Sequence, residues 1–248
     1  MESTEAGIDR GVTVRTAGPV PAAAVADLVY GVSRVLHTIN GVAIAHLRIT
    51  RHRSGPEVTV FQINASIDGW PCRAQLVGDG AWGASGAVER FDRQLDQLLT
   101  PARYLPRQYA AARNLAAITE VRPITRRKMF PTQTLLPAAA SEIMDTMDYD
   151  AHLFRDRETG EDAIVYRAGT AGVRLLRQTR VELPAARDNL IAVDLTPTHA
   201  LPDIVAAKRL CRNGLPFLFY VDPATTRGKL LYRRYDGDLA LITATPTR

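Results

Sequence analysis

The run Gly78-Asp79-Gly80-Ala81-Trp82-Gly83 has the spacing of a phosphate cradle. In G-x-G-x-x-G, glycines let the backbone close on a pyrophosphate at the N-terminus of the helix that follows. That chemistry also needs a parallel strand after the helix and an acid about 20 residues further on. Here the helix leads into a connector of prolines and arginines, and position 103 is Arg. The run is therefore expected to serve as a tight turn and helix entry. His37, His46, His52, His152 and His199 form no metal spacing, and C-x-x-C, H-E-x-x-H and P-loop motifs are missing. Asp145, Asp148 and Asp150 lie close together, but a solvated helix end explains them better than a metal site. No catalytic constellation emerges, so the chain is read as a non-enzyme with no cofactor and no metal.

What remains is arginine. Of 31 basic residues, 28 are Arg and three are Lys. A guanidinium donates bidentately to phosphate and stacks on bases, although GC-rich codon usage would give the same ratio. Codon usage does not explain where the charge sits. The formal charge is +5; residues 1–130 hold 16 Lys+Arg against 11 Asp+Glu, and residues 131–248 hold 15 of each. The candidate phosphate ligands are Arg34 and His37 on a first helix, and Arg48, Arg51 and Arg53 on a strand and its turn. Arg73 on a later strand, Arg90 and Arg93 on a second helix, and Arg103, Arg107 and Arg113 in the connector complete the set. Glu89, Asp92 and Asp96 dilute the charge of that second helix.

The elements that must position these residues follow from periodicity. Val12 to Thr16 alternates as a strand, and Pro21 to Ile39 carries apolar residues at helical spacing until Asn40-Gly41 stops it. Ala45–Arg53, Val58–Ile67 and Pro71–Val77 read as strands, with Asp68-Gly69 as a hairpin signal. Ala84–Leu99 reads as a helix ended by Pro101. The expected order over residues 1–100 is β-α-β-β-β-α. Residues 101–127 read as a basic connector, with room for a short helix over 108–117.

Beyond it the chain is written twice, at an offset of 66. Pro131-Thr132 returns as Pro197-Thr198, Leu135 as Leu201, Asp156 as Asp222, and Tyr166-Arg167 as Tyr232-Arg233. A repeat of this kind decides the fold class. The whole is expected to be α+β: the front domain, then two small β-α-β-β-β repeats over 128–182 and 190–246 that form a pseudo-dimer. Phe154, Val165, Tyr166, Arg167, Phe219, Leu231, Tyr232 and Arg233 are the candidate pairing interface.

Two stretches carry a resemblance. Leu230-Leu231-Tyr232-Arg233-Arg234-Tyr235-Asp236-Gly237 resembles the close of the C-terminal domain of long-form ribosome hibernation-promoting factors, the S30AE or sigma-54 modulation family. It departs at Ala240, where that family has Gly; the first copy departs at Ala168-Gly169-Thr170. In the front half, Arg73-Ala74-Gln75 resembles a strand of actinobacterial members, and Arg90-Phe91-Asp92-Arg93-Gln94-Leu95 resembles the family's last helix. The resemblance implies a partner in the 70S ribosome and its 30S subunit, contacts with 16S rRNA and with small-subunit ribosomal proteins, and inhibition of translation under stress. In that family the C-terminal domain pairs between chains. A duplicated tail implies pairing within one chain, a monomer, and no 100S ribosome dimers. A non-ribosomal RNA-binding stress protein and a nucleotide-binding enzyme using Gly78–Gly83 are the alternative readings.

Composition agrees with a soluble chain: hydrophobic content is 46% and mean hydropathy −0.10. Met1 to Gly11 is polar and acidic, unlike a signal peptide, and no apolar run has the length of a membrane span. Cys72 and Cys211 read as isolated reduced thiols, and the cytoplasm is the expected location.

Overall fold

The computed structural model describes residues 3–9, 11–51, 58–99, 115, 118, 120–169, 172–179 and 191–245. They fall into two compact units: Met1–Leu105 with Asp145–Asp148, and Pro106–Met144 with Tyr149–Arg248. The possible helix over 108–117 lies outside the described residues, Leu115 excepted. Among the described residues, no helix is long and apolar enough to cross a membrane.

The front unit is a five-stranded sheet with two helices on one face. Its elements are β1 (Ser3–Asp9), β2 (Val12–Ala17), α1 (Ala22–Leu36), β3 (Ala43–Arg51), β4 (Thr59–Ile67), β5 (Trp70–Gly78) and α2 (Gly80–Leu99). The strands lie in the order β1-β2-β3-β4-β5; β2 and β3 are parallel and all other neighbours antiparallel. The expected order is thus present with one strand added in front. β1 joins β2 through backbone pairing, which needs no apolar alternation, so a polar segment gave no signal of it. Asp68 and Gly69 both take positive φ, +48° and +84°, as a two-residue hairpin turn between β4 and β5 requires.

Period 2 in the strands sets the two faces. Val12, Val14, Ala45, Leu47, Ile49, Phe61, Ile63, Ala65, Cys72 and Ala74 point to one side and pack against Leu28, Val32, Val35, Ala84, Ala87, Phe91 and Leu95 of the helices. Gly31 lets α1 and α2 close on each other: a Cβ there would stand 2.6 Å from Val88 Cγ2.

The second unit holds two sheets. One has the order β11-β10-β9-β8-β7 and the other β12-β13-β14-β6. In chain order these are β6 (Ile124–Pro131), β7 (Thr134–Leu135), α3 (Pro137–Thr146), β8 (Ala151–Asp156), β9 (Asp162–Arg167), β10 (Val173–Arg177), β11 (Ile191–Val193), α4 (Asp203–Arg212), β12 (Phe217–Val221), β13 (Gly228–Arg233) and β14 (Leu239–Thr245). An offset of 66 carries α3 onto α4, β8 onto β12, β9 onto β13 and the start of β10 onto that of β14. It also carries the β7–β8 pairing of Thr134 with Arg155 onto the bridge of Ala200 with Val221.

The strands that precede the copies change places. β6, ahead of the first copy, lies parallel to β14 at the end of the second, with Ile124 beside Leu239. β11, ahead of the second copy, lies parallel to β10 at the end of the first, with Ile191 beside Val173. Val173 and Leu239 are one offset apart, so the exchange is reciprocal. Residues 124–127, expected in the connector, are therefore strand.

Each sheet buries both faces. Under α3 lie Phe154, Ala163, Val165, Val173 and Leu175; under α4 lie Tyr220, Leu231, Leu239 and Leu241. On the opposite faces Leu153 and Ile164 of one sheet meet Phe219, Leu230 and Ala244 of the other.

Candidate nucleic-acid interface

In the front unit, the sheet face turned away from the helices is polar. Arg15, Arg48, Gln62 and Gln75 are successive register partners across β2, β3, β4 and β5, and so are Thr13, His46, Asn64 and Arg73. Two rows of side chains therefore cross the sheet one pleat apart, on positions that alternate with the core. Arg15, His46 and Arg48 are exposed. Thr13 Oγ1 and His46 Nδ1 lie 2.7 Å apart, and Gln62 Nε2 donates to Asn64 Oδ1 at 3.1 Å. Arg73 donates to Gln75. Guanidinium, imidazole and amide groups in fixed rows suit the phosphates and hydroxyls of a folded RNA, which is recognised by shape and backbone.

The residues expected from sequence do not form one patch. Arg48 and Arg73 are in these rows. Arg34 and Arg93 are exposed on the helix layer, together with His37, whose ring nitrogen lies 2.6 Å from the Ser33 carbonyl. Arg51 ends β3 opposite Thr59. Arg90 is not presented to solvent as expected: its side chain is 17% exposed, and its guanidinium holds Asp148, which belongs to the same compact unit, through bonds of 2.9 and 2.7 Å. Arg53, Arg103, Arg107 and Arg113 lie outside the described residues. Arg15 was missed, although its outward position in the Val12–Thr16 alternation was a signal that could have found it.

The glycine run is used up by packing. A Cβ at Gly78 would lie 2.5 Å from Gly83 Cα, and one at Gly83 would lie 2.4 Å from Phe61 Cε2. These glycines close the β5–α2 corner over the core, as a tight helix entry demands. Cys72 and Cys211 are free and buried. Burial, then the charge of Asp148, pushes the Cys72 thiol up to about 12, which leaves it unreactive at neutral pH. Among the described residues, no group of three or more His, Cys, Asp or Glu is placed to hold a metal ion.

In the second unit, the expected pairing residues divide between two faces. Tyr166 and Phe219 belong to the contact between the sheets, where Tyr166 meets Phe217 edge-on at 5.4 Å and 61°. Phe154, Val165 and Leu231 lie instead beneath their own helices, and the rows facing the other sheet contain Leu153, Ile164 and Leu230. Both faces are apolar, so alternation alone does not say which one looks outward. Tyr232 lies under Lys128, whose Nζ is 5.8 Å from the ring centroid. Arg167 and Arg233 end β9 and β13, and their amides donate to the carbonyls of Asp150 and Pro216 at 3.0 and 2.9 Å.

The model of the sigma 54 modulation/S30EA ribosomal protein C terminus matches residues 119–175, which span β6 to β10. Two curated relatives, from the CDC 1551 / Oshkosh and H37Rv strains of Mycobacterium tuberculosis, are each named "Dormancy associated translation inhibitor". Each is 39% identical over 244 residues, covering 94% of this chain and 88% of the relative. A solved structure, the N-terminal domain of Thermus thermophilus Protein Y, aligns with a TM-score of 0.30 at 14% identity, covering 34% of this chain and 93% of that one. With a relative this similar along nearly its whole length, and a family model on its first tail copy, the chain belongs to the sigma 54 modulation/S30EA (S30AE) ribosomal protein family.

Proposed function

We propose that this chain is a ribosome hibernation factor that inhibits translation by occupying the small-subunit path of mRNA and tRNA. The observation that carries the reading is the 39% identity, over 94% of the chain, to proteins named dormancy associated translation inhibitor. It acts by occupancy in the cytoplasm rather than by chemistry. The partner surface is 16S rRNA in the 30S subunit, with neighbouring ribosomal proteins. The polar sheet face of Arg15, His46, Arg48 and Arg73 supports this, because fixed arginines meet phosphates at little further entropic cost. With about five phosphate contacts, log K falls against log salt with a slope of roughly −3.5 to −4.5.

The domains of this reading are residues 1–100, which bind the ribosome, a connector, and two tail repeats that form an internal pseudo-dimer. One repeat of roughly 50 residues is marginal alone because it buries too little surface. The reciprocal exchange of β6 and β11 and the equivalent residues in the inter-sheet contact support pairing within one chain. A short link gives that pairing a high effective concentration over pairing between chains. The factor then silences single 70S ribosomes as a monomer and forms no 100S dimers.

Sucrose-gradient sedimentation with 70S ribosomes, run beside in vitro translation, tests this. The wild type is expected in the 70S peak, with translation inhibited and no 100S shoulder. Arg15→Glu/Arg48→Glu is expected to weaken binding by about 100-fold or more, since charged hydrogen bonds contribute about 1.5–3 kcal/mol each. Arg34→Glu/Arg93→Glu, on the helix layer, is expected to bind like the wild type. The opposite ranking transfers the interface to the helices; wild type left at the top of the gradient, with translation unaffected, sinks the ribosomal reading.

A further inference from the structure

Two equivalent positions of the tail touch each other. Asp162 opens β9 and Gly228 opens β13, one offset of 66 apart. The Gly228 amide donates to Asp162 Oδ2 at 2.8 Å, and a Cβ on Gly228 would stand 2.7 Å from the Cβ of Asp162. In an isologous pair, a residue on the two-fold axis meets its own counterpart. Asp162 and Gly228 therefore mark the pseudo-axis between the copies, and there the copies differ in charge and volume. The dipeptide is Glu161-Asp162 in the first copy and Arg227-Gly228 in the second.

The pair is complementary in both charge and shape. The Asp162 side chain has no exposure, and Arg227 grips it bidentately, Nε to Oδ2 at 2.7 Å and Nη2 to Oδ1 at 3.0 Å. Asp162 gives its own amide to Gln178 Oε1 at 3.0 Å. The residue matching Gln178 in the second copy is Ala244, which offers no side-chain acceptor, so the carboxylate of Asp162 serves the Gly228 amide.

We propose that these four residues form a pairing code that admits only unlike copies, so that a second chain cannot use this face by matching like with like. The inference rests on the reading of the tail as an internal pair. First copy against first copy would set Asp162 against Asp162 where not even one extra Cβ fits, with Glu161 in place of the arginine. Two buried carboxylates at such a distance repel, and the bidentate Arg227 is replaced by the long 3.6 Å contact that the half-exposed Arg155 of each copy makes with its own Asp162. Second copy against second copy would oppose two arginines across a gap with no carboxylate, and would leave the Gly228 amide unserved. Unlike pairing alone satisfies charge, volume and hydrogen bonding together.

The experiment exchanges the code in the full chain and follows thermal unfolding and mass by light scattering. Arg227→Glu/Gly228→Asp gives both copies the first copy's dipeptide and is expected to lower the Tm by about 10 °C or more. Adding Glu161→Arg/Asp162→Gly to that variant swaps the dipeptides between copies. Pseudo-symmetry predicts recovery to within about 4 °C of the wild type. A double variant that melts like the wild type overturns the code, and so does a fourfold variant that stays as unstable as the double or falls further. If the double is too unstable to purify, the Tm of the fourfold variant against that of the wild type decides the same point. Light scattering judges the underlying reading separately. A wild-type chain dimer together with fourfold rescue keeps the code but places the pairing between chains.

Discussion

The two tail copies place the same backbone under different side chains. Asp156 ends β8 and Asp222 follows β12; each serves the next turn, accepting from Glu158 and Ala224 amides at 2.9 and 3.1 Å. Each also needs a cation, and here the copies part. Asp156 is met at 2.6 Å by Arg177 of β10, with both side chains almost wholly buried, and Arg177 also holds Glu158 at 2.8 Å. Asp222 is met at 3.0 Å by Lys229 of β13, which also reaches Asp203 at 2.9 Å. The helices differ in the same manner: α4 carries Lys208, Arg209 and Arg212 where α3 carries Glu142, Ile143 and Thr146. A turn fixed by its own carboxylate is preserved because its bonds are local. The counter-charge drifts because any strand within reach supplies it.

The comparison is broken hardest at the buried pair. Asp156→Ala removes the fully buried carboxylate that pairs with Arg177, leaves that buried guanidinium to Glu158, and is expected to cost about 3 kcal/mol in urea unfolding. Asp222→Ala is expected to cost clearly less, since Lys229 is partly exposed and keeps Asp203. Equal losses would mean that the two ion pairs do the same work. Next comes His152, whose place Leu218 takes in the second copy. Burial holds its imidazole down to about 4, below the ordinary 6.5, so the folded protein keeps it neutral. The unfolded chain then binds the extra proton between those values. Stability falls as pH drops through this window, by at most about 1.4 kcal/mol per pH unit, and this contribution is flat above it. His152→Leu is expected to flatten that part of the profile; urea midpoints for both proteins at pH 7 and pH 5 check it.

The smallest effect is at the turn tip. Gly160 and Thr226 are equivalent and both take positive φ, +70° and +55°. Their amides donate to the carbonyls of Asp156 and Asp222, each at 2.8 Å. A β-branched residue in this region carries roughly 1–2 kcal/mol of strain, partly offset by the greater freedom that glycine has when unfolded. Thr226→Gly is expected to raise the Tm by about 1–4 °C in calorimetry. A lower Tm would show that the Thr226 hydroxyl matters more than its backbone strain.

Asp203 illustrates how a site is assembled from distant parts. It opens α4, where a carboxylate suits the helix dipole. Burial works against its charge, but hydrogen bonds from Arg127 on β6, Lys229 on β13 and Tyr220 on β12 hold it down to about 2. Arg127 reaches it only because β6 crosses to the second copy's sheet. Sequence reasoning put Arg127 in a connector, since nothing local marks a strand whose partner lies more than a hundred residues away.

Most of the secondary structure was legible, and the reasons are local. Helical spacing from Pro21 to Ile39, alternation in the front strands, the Asp68-Gly69 turn and the offset of 66 depend on neighbours within a few residues or on comparing the chain with itself. For the candidate interface the sequence offered an excess of positive charge in residues 1–130, and Arg48 and Arg73 individually. Sequence alone did not tell that Arg15 joins their rows, that Arg34 and Arg93 sit on the helix layer, or that Arg90 is taken by Asp148. It did not tell which apolar row of β8 and β9 faces the second sheet, because a sheet buried on both sides has no polar row to mark its outside. The exchange of β6 and β11 and the meeting of Asp162 with Gly228 were likewise decided by the tertiary structure, because a register between distant strands and a contact across a pseudo-axis are properties of the packed chain, set by which surfaces can close without leaving a charge or an amide unserved.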